Sequence, residues 1–125
     1  MVKKQISNIS FPDSFFWGAA SSAREIEGSS EHFSDPATIW DEHFKLFPPS
    51  RESVKTWEGA DHINRYRDDI KTLADLGITN YRFSISWGRL LADTESPKAQ
   101  QALDFYSRLT DELLSAGITP WATLY

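Results

Sequence analysis

The chain of 125 residues has no cysteine. Neither a disulfide framework nor a thiolate metal site is therefore available, and the composition is compatible with a reducing compartment. Long apolar runs are also missing. Residues 1–10 contain Lys3 and Lys4 but not the about 7 to 15 apolar residues of a secretory leader, and no stretch reaches the roughly 18 of a membrane span. A cytoplasmic protein with no membrane partner is the expectation. Cations are in deficit, with 13 Lys+Arg against 18 Asp+Glu and a formal charge of -5. Binding to a phosphate backbone relies on clustered positive charge, so nucleic acid is excluded as a partner. His32, His43 and His62 fall at no metal-ligand spacing. Gly18, Gly28 and Gly59 are isolated instead of forming a phosphate-binding G-x-G-x-x-G run. No metal and no cofactor is expected.

What is present is apolar and rhythmic. A 40% hydrophobic, 14% aromatic composition supports a sizeable core in one domain spanning 1–125, with a flexible terminus over 1–10. Phe15, Phe16 and Trp17 run into the small residues from Gly18 to Ala23, a first strand. From Gly28 to about Trp57 the chain is polar. It is interrupted by one short helix capped at Ser34 or Asp35, with Pro36 in its first turn and Ile39, Trp40 and Phe44 on its buried face, ending at Pro48-Pro49.

Asp61 to Leu76 places Ile63, Tyr66, Ile70, Leu73 and Leu76 at helical spacing, and Gly77 supplies a left-handed stop. Asn80 to Trp87 alternates strictly and reads as a strand. A second helix starts at Ser96-Pro97, carries Leu103, Tyr106, Leu109 and Leu113 as its stripe, and stops at Gly117. Ile118 to Tyr125 is a third strand. The order is β-loop-α-β-α-β with parallel strands in right-handed crossovers. A doubly wound sheet would be apolar on both parities, yet here Arg82, Ser84 and Ser86 share one parity. A barrel accommodates this, with Phe83 and Ile85 facing helices and the polar parity facing a lumen. The fold class is α/β, the amino-terminal part of a (β/α)8 barrel.

Three segments carry a resemblance. They are Phe11-Pro-Asp-Ser-Phe-Phe-Trp-Gly-Ala-Ala-Ser-Ser-Ala-Arg-Glu-Ile-Glu-Gly28, Tyr81-Arg-Phe-Ser-Ile-Ser-Trp87 and Trp121-Ala-Thr-Leu-Tyr125. In order and spacing they resemble the amino-terminal end of glycoside hydrolase family 1, the β-glucosidase family of retaining (β/α)8 barrels. The resemblance implies hydrolysis of O-glycosidic bonds in a β-glycoside or oligosaccharide. A glutamic acid protonates the leaving oxygen, a glutamate attacks the anomeric carbon, and water releases the glycosyl-enzyme.

Arg82 has a plain reading as an ion-paired arginine at a strand start. The resemblance implies a role beside the nucleophilic glutamate, where a fixed cation keeps a carboxylate ionised. Glu25 and Glu27, two apart on an extended strand, would share a face with Cα atoms roughly 6.5 to 7 Å apart. Retaining glycosidases need carboxyl groups about 5 to 5.5 Å apart across the scissile bond, which strand neighbours reach poorly. The family has glutamine at the position of Glu25, where it grips sugar hydroxyls, so Glu25 is the substrate-binding residue by resemblance. A carboxylate accepts but cannot donate as an amide does. Either the sugar pose differs, or Arg24 compensates, or the site has decayed. Glu27 is expected to support its surroundings. The tryptophans are expected to be mostly core, with Trp87 at a strand end the one considered for sugar stacking.

Both catalytic glutamates of the family lie on later strands of a barrel that needs roughly 250 residues. In the family, the third strand continues into His-Trp after the position of Tyr125. The chain alone is therefore expected to be inactive. One alternative is a piece of a split or assembled barrel that docks with the complementary chain. The other is a non-catalytic sugar- or protein-binding module.

Overall fold

The computed structural model describes residues 10–28, 43, 46–47, 59–91 and 97–124. The helix expected from Ser34 to Phe44, the Pro48-Pro49 stop and residues 1–9 lie outside the described residues. Three parallel strands form one sheet in the order β1-β2-β3: β1 (Gly18–Ala20), β2 (Asn80–Ser84) and β3 (Thr119–Thr123). Between them come α1 (Ala23–Ile26), α2 (His62–Asp75), α3 (Trp87–Leu91) and α4 (Pro97–Ser115). The expected βαβαβ path is present, with α1 and α3 as additional short turns at the carboxyl ends of β1 and β2.

The two long helices stop by the same local chemistry. Gly77 and Gly117 both sit at φ 74. Ile78 N–H donates to Leu73 O and Gly77 N–H to Ala74 O. Ile118 N–H donates to Leu113 O and Gly117 N–H to Leu114 O. This pair of reversed bonds satisfies carbonyls the helix leaves open, and only glycine takes the left-handed position without a steric cost. A repeated Gly-Ile-Thr follows each helix and leads into β2 and β3, which pair with Asn80 opposite Thr119 through Ser84 opposite Thr123, so the two repeats are offset by one residue.

The core lies on one side of the sheet. Tyr81 and Phe83 of β2 pack against Ile63, Tyr66 and Ile70 of α2 and Ala102, Phe105, Tyr106, Leu109 and Leu113 of α4. Two expectations need correcting. Leu76, at the carboxyl end of α2, and Leu103 of α4 are exposed, at 71% and 51%; the buried stripe of α4 keeps the expected Tyr106, Leu109 and Leu113 but continues through Ala99, Ala102 and Phe105, which leaves Leu103 outside. The strand expected to reach Trp87 ends at Ser84, since Arg89 and Leu90 N–H donate to Ser86 O and start a helical turn.

Leu113, with 0% exposure, should lose about 2–5 kcal/mol of stability on replacement by alanine. Leu103→Ala should stay within about 0.5 kcal/mol of wild type. Urea unfolding of the two variants checks the assignment of the α4 stripe.

Candidate functional site

Arg82 occupies the middle of β2, with Ala20 of β1 and Trp121 of β3 as register partners. Alternation puts Asn80, Arg82 and Ser84 on the face opposite Tyr81 and Phe83. Trp121 shares that face and donates its Nε1–H to Asn80 Oδ1 at 3.0 Å. Tyr81 and Phe83 are buried under the helices, whereas Arg82 is exposed on the open side. The open side is thus polar and cationic at its centre, suited to a carboxylate or a hydroxylated ligand.

Glu25 is not on a strand. The N–H groups of Glu25 and Ile26 donate to Ser22 O and that of Glu27 to Ala23 O, which closes a single helical turn. The shared strand face expected for Glu25 and Glu27 does not exist, because residues two apart on a helix diverge. Glu25 is exposed and Glu27 is 3% exposed. A turn of four residues cannot hold itself together, and tertiary bonds fix this one. Ala23 N–H donates to Ser84 Oγ at 2.8 Å, Ser21 Oγ meets Tyr81 OH at 2.5 Å, and Ser21 N–H donates to Arg82 O at 2.9 Å. From the other side Ala60 N–H donates to Ile26 O at 3.1 Å. Gly59 makes that approach possible, at φ +47 with a position for Cβ only 3.0 Å from Glu25 O.

Beneath the turn lies a buried charge cluster. Arg89 of α3 donates from Nη1 to Glu27 Oε2 at 2.6 Å and from Nη2 to Gly28 O at 2.7 Å. Tyr106 of α4 donates its hydroxyl to the same carboxylate, 3.0 Å from Oε1 and 3.2 Å from Oε2. Ser86 N–H donates to the Tyr106 oxygen at 2.8 Å. A buried carboxylate is tolerated when a cation and further donors compensate its lost hydration. Burial first, and then the Glu27 charge, push the Tyr106 phenol far above the ordinary tyrosine range, against weaker opposing effects of Ser86 N–H and Arg89. Burial likewise raises the Tyr81 phenol.

Other expectations fare unevenly. Trp87 opens α3 instead of ending β2, and its Nε1–H donates to Leu124 O. Trp17, Trp87 and Trp121 are exposed, contrary to the core role expected of most tryptophans, because they sit outside the single helix-covered face; Trp40 and Trp57 lie outside the described residues. His62 is buried with Nδ1 2.6 Å from Asp69 Oδ2 and its ring edge-on to Phe105. Among the described residues no three His, Asp or Glu side chains gather as a metal site, and no helix is long and apolar enough to cross a membrane. The sequence reading missed Arg89 and the polar use of Tyr106. The available signal was Glu27 itself, a carboxylate in a small apolar segment that requires a cation.

Comparison with known proteins settles the relationship. The model of glycosyl hydrolase family 1 matches residues 7–125. The chain belongs to that family. It is 46% identical over 119 residues to thermostable beta-glucosidase B of Thermobispora bispora, covering 94% of this chain and 24% of that protein. It is 43% identical over 121 residues to beta-glucosidase A of Acetivibrio thermocellus, covering 96% and 27%. The solved family 1 β-glucosidase from Thermotoga maritima matches with a TM-score of 0.72 at 40% identity over 92% of this chain and 26% of that one. The AHE enzyme from Alicyclobacillus herbarius gives 0.75 at 38% identity over 94% and 26%. The chain spans about a quarter of the length of the family 1 relatives it matches. Its sheet and helices are the amino-terminal portion of a family 1 (β/α)8 barrel, as the polar parity of β2 implied.

Two outcomes follow for the buried cluster. Arg89→Met leaves Glu27 charged without its cation and should cost about 3–5 kcal/mol in urea unfolding. In the unfolded chain the Tyr106 phenol gives up its proton near pH 10, whereas the folded one holds it. Unfolding therefore releases protons above about pH 10, and stability that is intact below that pH falls as pH rises past it. Tyr106→Phe should make the alkaline decline shallower, leaving the part due to Tyr81.

Proposed function

We infer that this chain supplies part of the sugar-binding and charge-stabilising shell of a retaining β-glycosidase of the β-glucosidase type. The carrying observation is Arg82, exposed at the centre of the polar face of β2 within a chain of family 1. On this reading Arg82 lies beside the nucleophilic glutamate and holds it ionised for attack, while the exposed Glu25 lines the glycone pocket and accepts hydrogen bonds from sugar hydroxyls. Glu27 takes no part in proton transfer, since Arg89 and Tyr106 engage it away from solvent. The acid/base carboxyl and the nucleophile come from the remainder of the barrel, the complementary partner of this sheet. The chain alone is inactive, and no cofactor enters the reaction. The reading keeps the cytoplasmic location expected from the sequence, which cell fractionation tests.

The experiment is hydrolysis of an aryl β-glucoside by the purified chain, alone and mixed with the carboxyl-terminal remainder of a family 1 barrel. No turnover alone and turnover on mixing are expected. Arg82→Met in the mixture should lower kcat by about 10²-fold, the scale of losing one electrostatic stabiliser. Hydrolysis by the lone chain, an inactive complex, or unchanged kcat in Arg82→Met contradicts the reading.

A further inference from the structure

The short turn α1 carries Glu25, and nothing within the turn fixes it. Its N-cap Ser22 makes no side-chain capping bond, and four residues are too few for helical cooperativity. Its carboxyl end is held by backbone bonds from Ala60 N–H to Ile26 O and from Ile63 N–H to Glu27 O, and by the carboxylate of Glu27, two residues after Glu25; the group joining that carboxylate to the segment after β2 is the Tyr106 hydroxyl. The hydroxyl accepts from Ser86 N–H at 2.8 Å and donates to Glu27 at 3.0 Å. Ser86 lies four positions beyond Arg82 and directly before Trp87, so this oxygen ties the carboxyl end of the Glu25 segment to the extension of β2, while Ser21 N–H on Arg82 O and Ala23 N–H on Ser84 Oγ tie its amino end.

We propose that Tyr106 is a positioning residue, whose hydroxyl locks the Glu25 segment to the carboxyl end of β2 and so sets the place of Glu25 relative to Arg82. The inference rests on the β-glycosidase reading for its consequence in sugar binding. The lock itself is a property of the chain. A phenol is protonated, and hence a donor, through the neutral range, and burial and the Glu27 charge extend that state to higher pH. Its ring is held independently, stacked on Phe83 with centroids 6.3 Å apart and planes at 9°, and against Phe105 at 5.1 Å. The oxygen is thus presented by a part of the core that does not depend on α1. Arg89 fastens the same carboxylate from α3, but its second bond goes to Gly28 O, so it ties α1 to α3. The bond to the β2 extension through Ser86 is made by Tyr106.

Tyr106→Phe removes the oxygen and keeps the ring contacts. Native-state amide exchange on the full chain is expected to accelerate at least about tenfold at Glu25, Ile26, Glu27 and Ser86, since a hydrogen bond to a charged group is lost. Amides of α2 and β3 should keep their relative rates. Uniform acceleration over the whole chain, or none at Glu25 to Glu27, overturns the lock. In the barrel reassembled with its carboxyl-terminal remainder, KM for an aryl β-glucoside should rise about tenfold while kcat changes less than about threefold. Unchanged KM, even with lowered stability, overturns the positioning role. Gly59→Ala presses on the same turn from the opposite side, 3.0 Å from Glu25 O, and should raise KM likewise. A wild-type KM in that variant means the place of the turn does not govern sugar binding. If the wild-type mixture is inactive, the β-glycosidase reading fails, and the exchange pattern still decides the lock.

Discussion

The structure depends on β2 having two unlike faces. Tyr81 and Phe83 bury themselves among α2 and α4, which join the sheet to its helices. Asn80, Arg82 and Ser84 between them point the other way, and β1 and β3 attach to β2 on either edge. A parallel sheet covered on one side would ordinarily be unfavourable to leave open. It is reconciled here by polar and small residues on the open face, joined by Trp121, whose ring nitrogen donates to Asn80; this is the face a closed barrel turns inward.

The second constraint is a single negative charge. Glu27 stands at the end of a four-residue turn, almost wholly buried, and needs a cation and a neutral donor brought from elsewhere. Arg89 comes from α3, and Tyr106 comes from a residue 79 positions away in sequence. Because both donors also engage backbone at Gly28 and Ser86, compensation of the charge doubles as the fastening of the carboxyl ends of β1 and β2. The residues proposed for ligand binding, Glu25 and Arg82, are exposed and are not members of this buried cluster.

Much of this was legible in the residues. The alternation of Tyr81, Arg82, Phe83 and Ser84 implied both the strand and the barrel, and Gly77 and Gly117 marked the ends of α2 and α4. Three things were not. The turn α1 has no periodicity of its own, so Glu25 and Glu27 looked like strand residues. Strict alternation continued past Ser84 to Trp87, although the backbone had already turned to form α3, because side-chain character does not report a change of hydrogen-bond partner. Leu103 matched a helical stripe but lies on the outer side, since the buried face of α4 runs through Ala99, Ala102, Phe105, Tyr106, Leu109 and Leu113. The partners of Glu27 were hidden by their distance along the chain; local patterns carry no such information.

The central claim is that the polar face of β2, with the adjoining α1 turn, is where a sugar sits. The most direct measurement is side-chain NMR of the reassembled barrel titrated with a non-hydrolysable β-glucoside analogue. The account requires saturable shifts at the Arg82 guanidinium and the Glu25 carboxylate, with Tyr81 and Phe83 little changed. Saturation that leaves Arg82 and Glu25 unmoved, or that moves only residues beneath the helices, would contradict it.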